Sequence, residues 1–536
     1  MIELKKLQNG SDIRGIALKG IEGEEPNLTE KEAKLLTKGY LRFLLETTGK
    51  NTDEISVAIG RDPRLSGEAL AAAAAAVLCE HGARTLACGQ ASTPAMFMAT
   101  RFTEYSCDGS IMITASHLPW NRNGFKYFTE NGGLDKPDIA KIIEYAKDEA
   151  GTDAFLSAHH GSSENADSTT PASPTPCNLM ETYASHLQEL IIDGCKSGTM
   201  PLKGLHIVVD AGNGAGGFYA ENVLRPLGAD ISGSLYLDPD GHFPNHAPNP
   251  EDKKAMEAIR SAVLSAKADL GIIFDTDVDR SSAVDENGRE IARNGIVAMA
   301  AALIAGDHPG TTVVTDSITS DFLPLFLEDT LGLKHLRYKR GYKNVINKAI
   351  ELNAAGTDCQ LAIETSGHAA YKENFFLDDG AYLATKIVIR TALLHKEGKG
   401  ISTLIEDLKE PAEAIEVRLP ISGEDFAATG DKVLTELAAF VESFAQGSAN
   451  SVPSDAAHAD CTTGNTPALS LVEPNYEGVR ISFNKDHGDG WCLLRKSLHD
   501  PIMPLNIESN SVGGTKIISK IMKGFLEKYD NMIELW

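Results

Sequence analysis

The sequence predicts an α/β protein: three similar α/β domains with mixed sheets and a smaller C-terminal α+β domain, arranged round a central cleft. Three observations carry this. Short apolar runs alternate with helix-like stretches over most of the 536 residues, the pattern of strand–helix–strand units. The runs fall into three pairs, and every member ends in polar residues. The end of the chain changes character, to neighbouring strand-like runs followed by an amphipathic stretch. A chain of this length also exceeds what one core supports.

The paired runs are residues 55–59 and 111–113, 206–209 and 271–274, and 312–315 and 361–363. Helix-like sequence lies between the members of each pair; the alanine run within residues 67–81 is the clearest case. The first members lead into Gly60-Arg61-Asp62, Asp210-Ala211-Gly212 and Asp316-Ser317. The second members lead into Thr114-Ala115-Ser116-His117, Asp275-Thr276-Asp277-Val278-Asp279 and Glu364-Thr365-Ser366-Gly367-His368. Open α/β sheets place their chemistry at the carboxyl ends of strands, so three equivalent loops could meet in one cleft. Near the end, residues 479–483 and 491–494 read as strands joined through 484–490, and residues 517–529 as an amphipathic helix. Residues 151–177 and 445–466, rich in small and polar types, read as flexible surface insertions, with His159-His160 an exposed loop pair. Domains are expected at residues 1–198, 199–306, 307–414 and 415–536.

The formal charge of −25 argues against a general binder of nucleic acid or anionic membranes. A small anionic substrate would need a local basic focus. Eight cysteines without a C-x-x-C pair suit a reducing compartment, and neither a disulfide framework nor a zinc site. The longest low-polarity runs, 69–79 and 296–305, fall short of the ~18 residues of a membrane span. The opening MIELKK lacks the apolar core of a signal peptide, and no transit peptide is evident.

Ser116 on a strand-end loop, with His117 beside it and Lys126 further on, has the make-up of a nucleophile with acid/base partners. Asp275, Asp277 and Asp279 lie on one side of an extended backbone. Such close anions repel unless a cation sits among them, and hard carboxylate oxygens select Mg²⁺ or Ca²⁺. Arg280 beside them suits a phosphate clamp. Glu364, Ser366 and His368 offer an acceptor, a hydroxyl and an imidazole to a polyol. Arg340-Gly-Tyr-Lys343 adds positive charge, and Arg495-Lys-Ser497 at a strand end suits a phosphate. A rival match is Gly212-Asn-Gly214-Ala-Gly-Gly217 after the run 206–209, with Asp238 at the spacing of a ribose contact, as in dinucleotide-binding enzymes. Against it, Asp210 would face a pyrophosphate.

Together these motifs resemble the α-D-phosphohexomutase family, the phosphoglucomutases and phosphomannomutases. The resemblance rests on Asp12-Ile-Arg14-Gly15, Gly60-Arg61-Asp62 with Ser66-Gly67, Thr114-Ala-Ser116-His117-x-Pro119 with Asn123-Gly124-x-Lys126, Asp238-Pro-Asp-Gly241 with Asn249-Pro250, Asp275-x-Asp277-x-Asp279-Arg280 and Glu364-x-Ser366-Gly367-His368, in family order. It implies a phosphoryl group carried on Ser116, and one Mg²⁺ held by Asp275, Asp277, Asp279 and a phosphoserine oxygen. It implies acid/base and charge support from Lys126, His117 and Arg14. Glu364, Ser366 and His368 would meet the sugar, Lys343 its far side, and Arg495 and Ser497 the phosphate that is not transferred. Hexose 1,6-bisphosphate would be the activator, and the chain a monomer or weak homodimer acting on a sugar phosphate. The departures are Leu118 for Asn, Thr276 and Val278 for glycines, Leu498-His499-Asp500 in the terminal phosphate loop, and Pro504 for Arg. The first three resemble a divergent branch of plants and algae, so residence is expected in the cytoplasm or the plastid stroma. An amino-sugar phosphate mutase and a non-catalytic sugar-phosphate-binding regulator are the alternatives.

Overall fold

The computed structural model describes residues 3–150, 153–159, 173–422, 425–445, 467–497 and 501–536. They pack as two compact units, Met1–Thr311 with Ala349–Glu406, and Thr312–Lys348 with Asp407–Trp536.

The first unit opens with β1 (Gln8–Asn9) and β2 (Asp12–Ile16), then α1 (Glu30–Thr48), whose start is fixed by a capping box of Thr29 and Glu32 and whose end by Gly49 at φ 71°. β3 (Ser56–Arg61), α2 (Gly67–Glu80), β4 (Arg84–Gln90), α3 (Thr93–Met98), β5 (Gly109–Ile113), β6 (Arg122–Thr129), β7 (Gly132–Gly133) and α4 (Lys136–Asp148) follow. The sheet runs β1-β2-β6-β5-β3-β4-β8, with β8 at Thr175–Pro176. β3 is parallel to β4 and β5, and β6 antiparallel to β5 and β2, so the sheet is mixed as expected. β5 is buried along its whole length, which is why it reads as an unbroken apolar run rather than an alternating one.

Gly124 lets β2 and β6 close. A Cβ there would lie 2.1 Å from Ile13 O, 2.8 Å from Thr114 O and 2.7 Å from Arg14 Nη1. Gly124→Ala is therefore expected to lower stability by about 1–3 kcal/mol, read by chemical denaturation, because the backbone must shift to admit a methyl group.

The segment 151–177 departs from its reading as wholly flexible. Ala154–Ala158 forms α5, with Leu156 buried and Asp153 ion-paired to Lys38 at 2.5 Å. His159 is half-buried and stacked on Phe155 at 4.0 Å, an aromatic contact that withdraws it from the loop surface; His160 lies outside the described residues. The rest of that expectation (160–172) and nearly all of 445–466 also lie outside them.

After α6 (Leu179–Cys195), β9 (Ile207–Asp210), α7 (Lys253–Ala266), β10 (Leu270–Phe274), β11 (Ser281–Asp285) and β12 (Glu290–Ile291) build a second sheet of order β12-β11-β10-β9, followed by α8 (Asn294–Ala305). In the second unit, β13 (Thr312–Thr315) and β14 (Lys334–Arg337) run parallel, with α9 (Phe322–Leu325) between them. α10 (Tyr342–Ala354) follows. The first unit then gains β15 (Cys359–Ile363), β16 (Ala369–Tyr371), β17 (Leu377–Asp378) and α11 (Gly380–Lys396). β18 (Glu413–Pro420), α12 (Phe426–Ala445), β19 (Leu469–Leu471), β20 (Val479–Phe483), β21 (Gly490–Leu494), β22 (Ile502–Ser509) and α13 (Gly514–Leu526) complete the second unit. Its antiparallel sheet, β18-β22-β21-β20-β19, shares a core with α12 and α13 built from Leu437, Val441, Ile481, Leu505, Met522 and Phe525.

Candidate active site

Ser116 lies in the loop after β5, in the left-handed region at φ 48°. This conformation costs a non-glycine residue about 1–2 kcal/mol and must be held by its surroundings. The holder is Arg64, which sequence reading passed over between Asp62 and Ser66. Its guanidinium donates to Ser116 O at 2.5 Å, Leu118 O at 2.6 Å, Pro119 O at 2.7 Å and Arg122 O at 3.0 Å. Its Nε donates to Asp62 Oδ2 at 3.1 Å, and both side chains are shut off from solvent. The Asp238–Gly241 motif serves the same turn: a Cβ on Gly241 would lie 2.3 Å from Pro63 O.

The serine loop meets the aspartate loop within the first unit. Ser116 Oγ donates to Asp275 Oδ2 at 3.1 Å, accepts from Arg280 Nη2 at 3.3 Å, and lies 3.4 Å from His117 Nδ1. Asp275, Asp277 and Asp279 are fully buried and offer one carboxylate oxygen each within 4.8 Å of one another. Asp277 Oδ1 and Asp279 Oδ1 accept no hydrogen bond among the described residues. Burial, then Asp279, raises the Asp275 carboxyl; burial and Asp279 also raise Asp277. Burial opposes the Asp279 anion, but Lys126, His368 and Arg280 hold it below the carboxylate range. Buried oxygens without donors and three crowded anions are what a hard divalent cation relieves, so the residues present fit an ion such as Mg²⁺ or Ca²⁺. Val278 takes the turn at φ 68° with its side chain buried, where the family glycines would be at ease. Thr93, another residue that sequence reading missed, ties the loop down: its N–H donates to Asp277 O at 2.8 Å and its hydroxyl to Asp277 Oδ2.

Lys126 on β6 is buried, 3.0 Å from Asp279 Oδ2 and 3.5 Å from Asp12 Oδ2. Arg14 on β2 donates to Thr114 O at 2.5 Å and to Asp12 Oδ2 at 2.8 Å. Desolvation by neighbouring groups, then the Arg280, His368 and Arg14 cations, push the His117 imidazole below its ordinary pKa, although the residue itself is exposed. Arg280 is buried and bound to Asp275 through Nε and Nη2, and to Asn249 Oδ1 at 3.2 Å. Its guanidinium therefore faces the carboxylate and the serine hydroxyl together.

Glu364 and Ser366 sit after β15, both buried, and Ser366 Oγ has no hydrogen-bond partner among the described residues. His368 joins Asp378, Nδ1 to Oδ2 at 2.5 Å; burial opposes its charge, but Asp378 and Asp279 hold its pKa up to about 9. The turn works because Gly367, at φ 94°, lets Ser281 O approach to 2.5 Å of its would-be Cβ.

Lys343, Arg495 and Ser497 belong to the second unit. Lys343 is half-buried in the first turn of α10. Arg495 is buried with Nε donating to no group among the described residues; burial, then Arg340, lowers its pKa. Ser497 is half-buried, its N–H paired with Ile502 O at 3.0 Å. Leu498, His499 and Asp500, which sequence reading singled out as altered, lie outside the described residues.

The glycine-rich rival is filled from inside. A Cβ on Gly214 would lie 2.7 Å from Thr276 O, and one on Gly217 2.1 Å from Leu237 O. Asp210 is spent on Gly212 N–H at 2.8 Å and His246 Nε2 at 2.9 Å. The glycines allow close packing of the chain on itself and leave no room for a pyrophosphate.

A serine hydroxyl beside a buried carboxylate triad on α/β domains is the kind of arrangement phosphoryl transfer uses. Family models described as phosphoglucomutase/phosphomannomutase α/β/α domains I, II and III match residues 5–152, 181–288 and 293–411. The chain belongs to the phosphoglucomutase/phosphomannomutase family of α-D-phosphohexomutases, which are metal-dependent isomerases. It is 26% identical to a phosphoglucomutase of Neisseria meningitidis, over 97% of each chain. It is 26% identical to a phosphomannomutase/phosphoglucomutase of Pseudomonas syringae, over 89% of this chain and 88% of that one. A crystal structure of a phosphoglucomutase/phosphomannomutase family protein from Burkholderia thailandensis shares the fold at a TM-score of 0.72 and 23% identity, covering 99% of this chain and 98% of that one. No helix among the described residues is long and apolar enough to cross a membrane.

Proposed function

We propose that this phosphohexomutase interconverts the 1-phosphate and 6-phosphate of glucose or mannose through a phosphoserine at Ser116 and a hexose 1,6-bisphosphate. The observation that carries this reading is Ser116 Oγ between Asp275 and Arg280, against carboxylates whose remaining oxygens lack donors. Asp275, Asp277 and Asp279 would hold Mg²⁺ with an oxygen on Ser116, and the ion would supply neutralisation of phosphoryl charge. In the forward half-reaction the phosphorus–Oγ bond breaks, a bond to the sugar hydroxyl oxygen forms, and the hydroxyl proton is taken up by the base and returned to Ser116 Oγ. The second half-reaction returns the other phosphoryl group to Ser116.

Lys126, already ion-paired with Asp279 and Asp12, is the group assigned to proton handling, with His117 and Arg14 supporting charge. Arg280 steadies Asp275 and the serine oxygen. Glu364 and Ser366 face sugar hydroxyls, with His368 fixing the turn beside them. Lys343, Arg495 and Ser497 take the phosphate not in transfer; a buried guanidinium with an unused Nε–H favours an anion there. Hexose 1,6-bisphosphate serves as activator by charging Ser116.

The test is ³¹P NMR of the protein with Mg²⁺ and a trace of hexose 1,6-bisphosphate, given the 1-phosphates of glucose, mannose and glucosamine in turn. A 6-phosphate signal, fastest with glucose or mannose, is expected. Fastest turnover of the glucosamine ester would reassign the substrate, and inorganic phosphate alone would mark a phosphatase.

Asp277→Asn gives an independent check of the metal. Magnesium affinity by calorimetry is expected to fall at least about 10-fold. Melting without metal is expected to hold or rise, since one of three mutually repelling buried anions is gone. Unchanged affinity would remove Asp277 from the ligand set.

A further inference from the structure

The eight scattered cysteines gave no sign of a pair, yet the fold makes one. β4 and β8 run parallel with Leu86 opposite Thr175 and Ala87 opposite Pro176. Continuing that register sets Cys88 opposite Cys177, and Cys177 N–H donates to Ala87 O at 3.1 Å. The two sulfurs lie 3.1 Å apart. Adjacent strands are separated by about 4.8 Å, inside the Cα spacing of about 4.4–6.8 Å that a disulfide tolerates. Closing the bond to about 2.05 Å needs only a short rotation of side chains already on one face.

Access is unequal in a useful way. Cys88 is buried and Cys177 half-buried, so a reagent meets Cys177 first and Cys88 waits behind it. The hydrogen bond between the sulfurs favours the Cys177 thiolate and disfavours that of Cys88. Cys79, Cys107, Cys195, Cys359 and Cys492 are buried, and Cys461 lies outside the described residues.

We propose that Cys88 and Cys177 form a redox modification site, oxidised to an intrachain disulfide by low-molecular-weight disulfides. The Cys177 thiolate attacks one sulfur of the reagent, forming a mixed disulfide and releasing one thiolate. Cys88 loses its proton to solvent and attacks the Cys177 sulfur, which releases the second. Two electrons pass from protein to reagent, and two reagent thiols result.

The link would close a loop across residues 88–177 and staple edge strand β8 to β4. Both ends lead by short stretches of chain toward the serine–aspartate site. Ser92, which follows β4, donates its N–H to Met180 Sδ at 3.4 Å at the start of α6, and the next residue is the Thr93 that ties down Asp277. The proposal does not depend on which sugar the protein uses.

The test takes the full chain through a series of glutathione/glutathione-disulfide ratios, traps free thiols by alkylation, and maps peptides. A Cys88–Cys177 linked peptide is expected as the main product. It should revert with excess thiol, persist in Cys461→Ser, vanish in Cys88→Ser and Cys177→Ser, and raise the melting temperature by several degrees. In Cys88→Ser the glutathione adduct should remain stalled on Cys177. A stable adduct on Cys177 in the unsubstituted chain, a link to Cys461, or full retention of both thiols at the most oxidising ratio would each overturn the proposal. The readout is covalent, so it stands apart from the mutase assay.

Discussion

Ser116→Ala is expected to cut bisphosphate-primed turnover by about three orders of magnitude or more, while the melting temperature stays close to that of the parent. A displacement that proceeds through a covalent intermediate has no substitute for its nucleophile, and removal of one member disables the set. The small stability change follows from the surroundings. The residue is half-buried, its φ of 48° burdens alanine no more than serine, and the backbone carbonyl that Arg64 grips is unchanged. Arg280 keeps Asp275 through Nε and Nη2 when the hydroxyl is gone. The measurement pairs a coupled isomerisation assay with intact-mass detection of the phosphoprotein. Full activity in the variant would sink the phosphoserine reading.

Arg64→Met should be costly in both stability and rate. It strands the buried Asp62 carboxylate and removes the donors from four loop carbonyls. Breaking a buried ion pair from one side costs about 3–5 kcal/mol. The serine loop, no longer held at a left-handed residue, would sample other conformers, so turnover should fall by at least about 10-fold from lost positioning. Two companion variants separate the effects. Arg64→Lys keeps a charge for Asp62 but lacks the fork that spans several carbonyls, so stability should recover more than kcat. Asp62→Asn combined with Arg64→Met removes the stranded charge and should likewise recover stability without rate. Equal recovery of both would make Arg64 a packing residue with no hold on the chemistry.

Much of the candidate site is legible in the sequence. Ser116, the three aspartates, Glu364 and Ser366 all occupy strand-end loops that were visible as apolar runs breaking into polar residues. The fold class was legible for the same reason: buried strands such as β5 and β10 leave continuous apolar signatures. Element ends were less so. The helix expected at 517–529 begins at Gly514 and passes into a tighter turn over Glu527–Tyr529, because helix ends are set by capping and packing that periodicity does not encode.

His368 shows the limit at the site itself. Its position within Glu364–His368 suggests a sugar contact; what the sequence does not show is that its Nδ1 pairs with Asp378, brought alongside by β17 pairing with β16. The glycine-rich match after β9 shows the same limit in reverse. The residues were right for a dinucleotide turn, and only the backbone of Thr276 and Leu237 lying against them reveals that the space is taken.

What the sequence determined by itself was local: which segments are strands, which loops carry hydroxyls and carboxylates, and in what order. Those properties live in runs of a few residues, where burial and backbone preference act directly on side-chain type. The tertiary structure decided the rest. Arg64 reaches carbonyls more than fifty positions away, Thr93 binds Asp277 at a separation of 184, and Cys88 meets Cys177 across 89. Such contacts depend on strand order and register, and neither leaves a periodic trace in the chain.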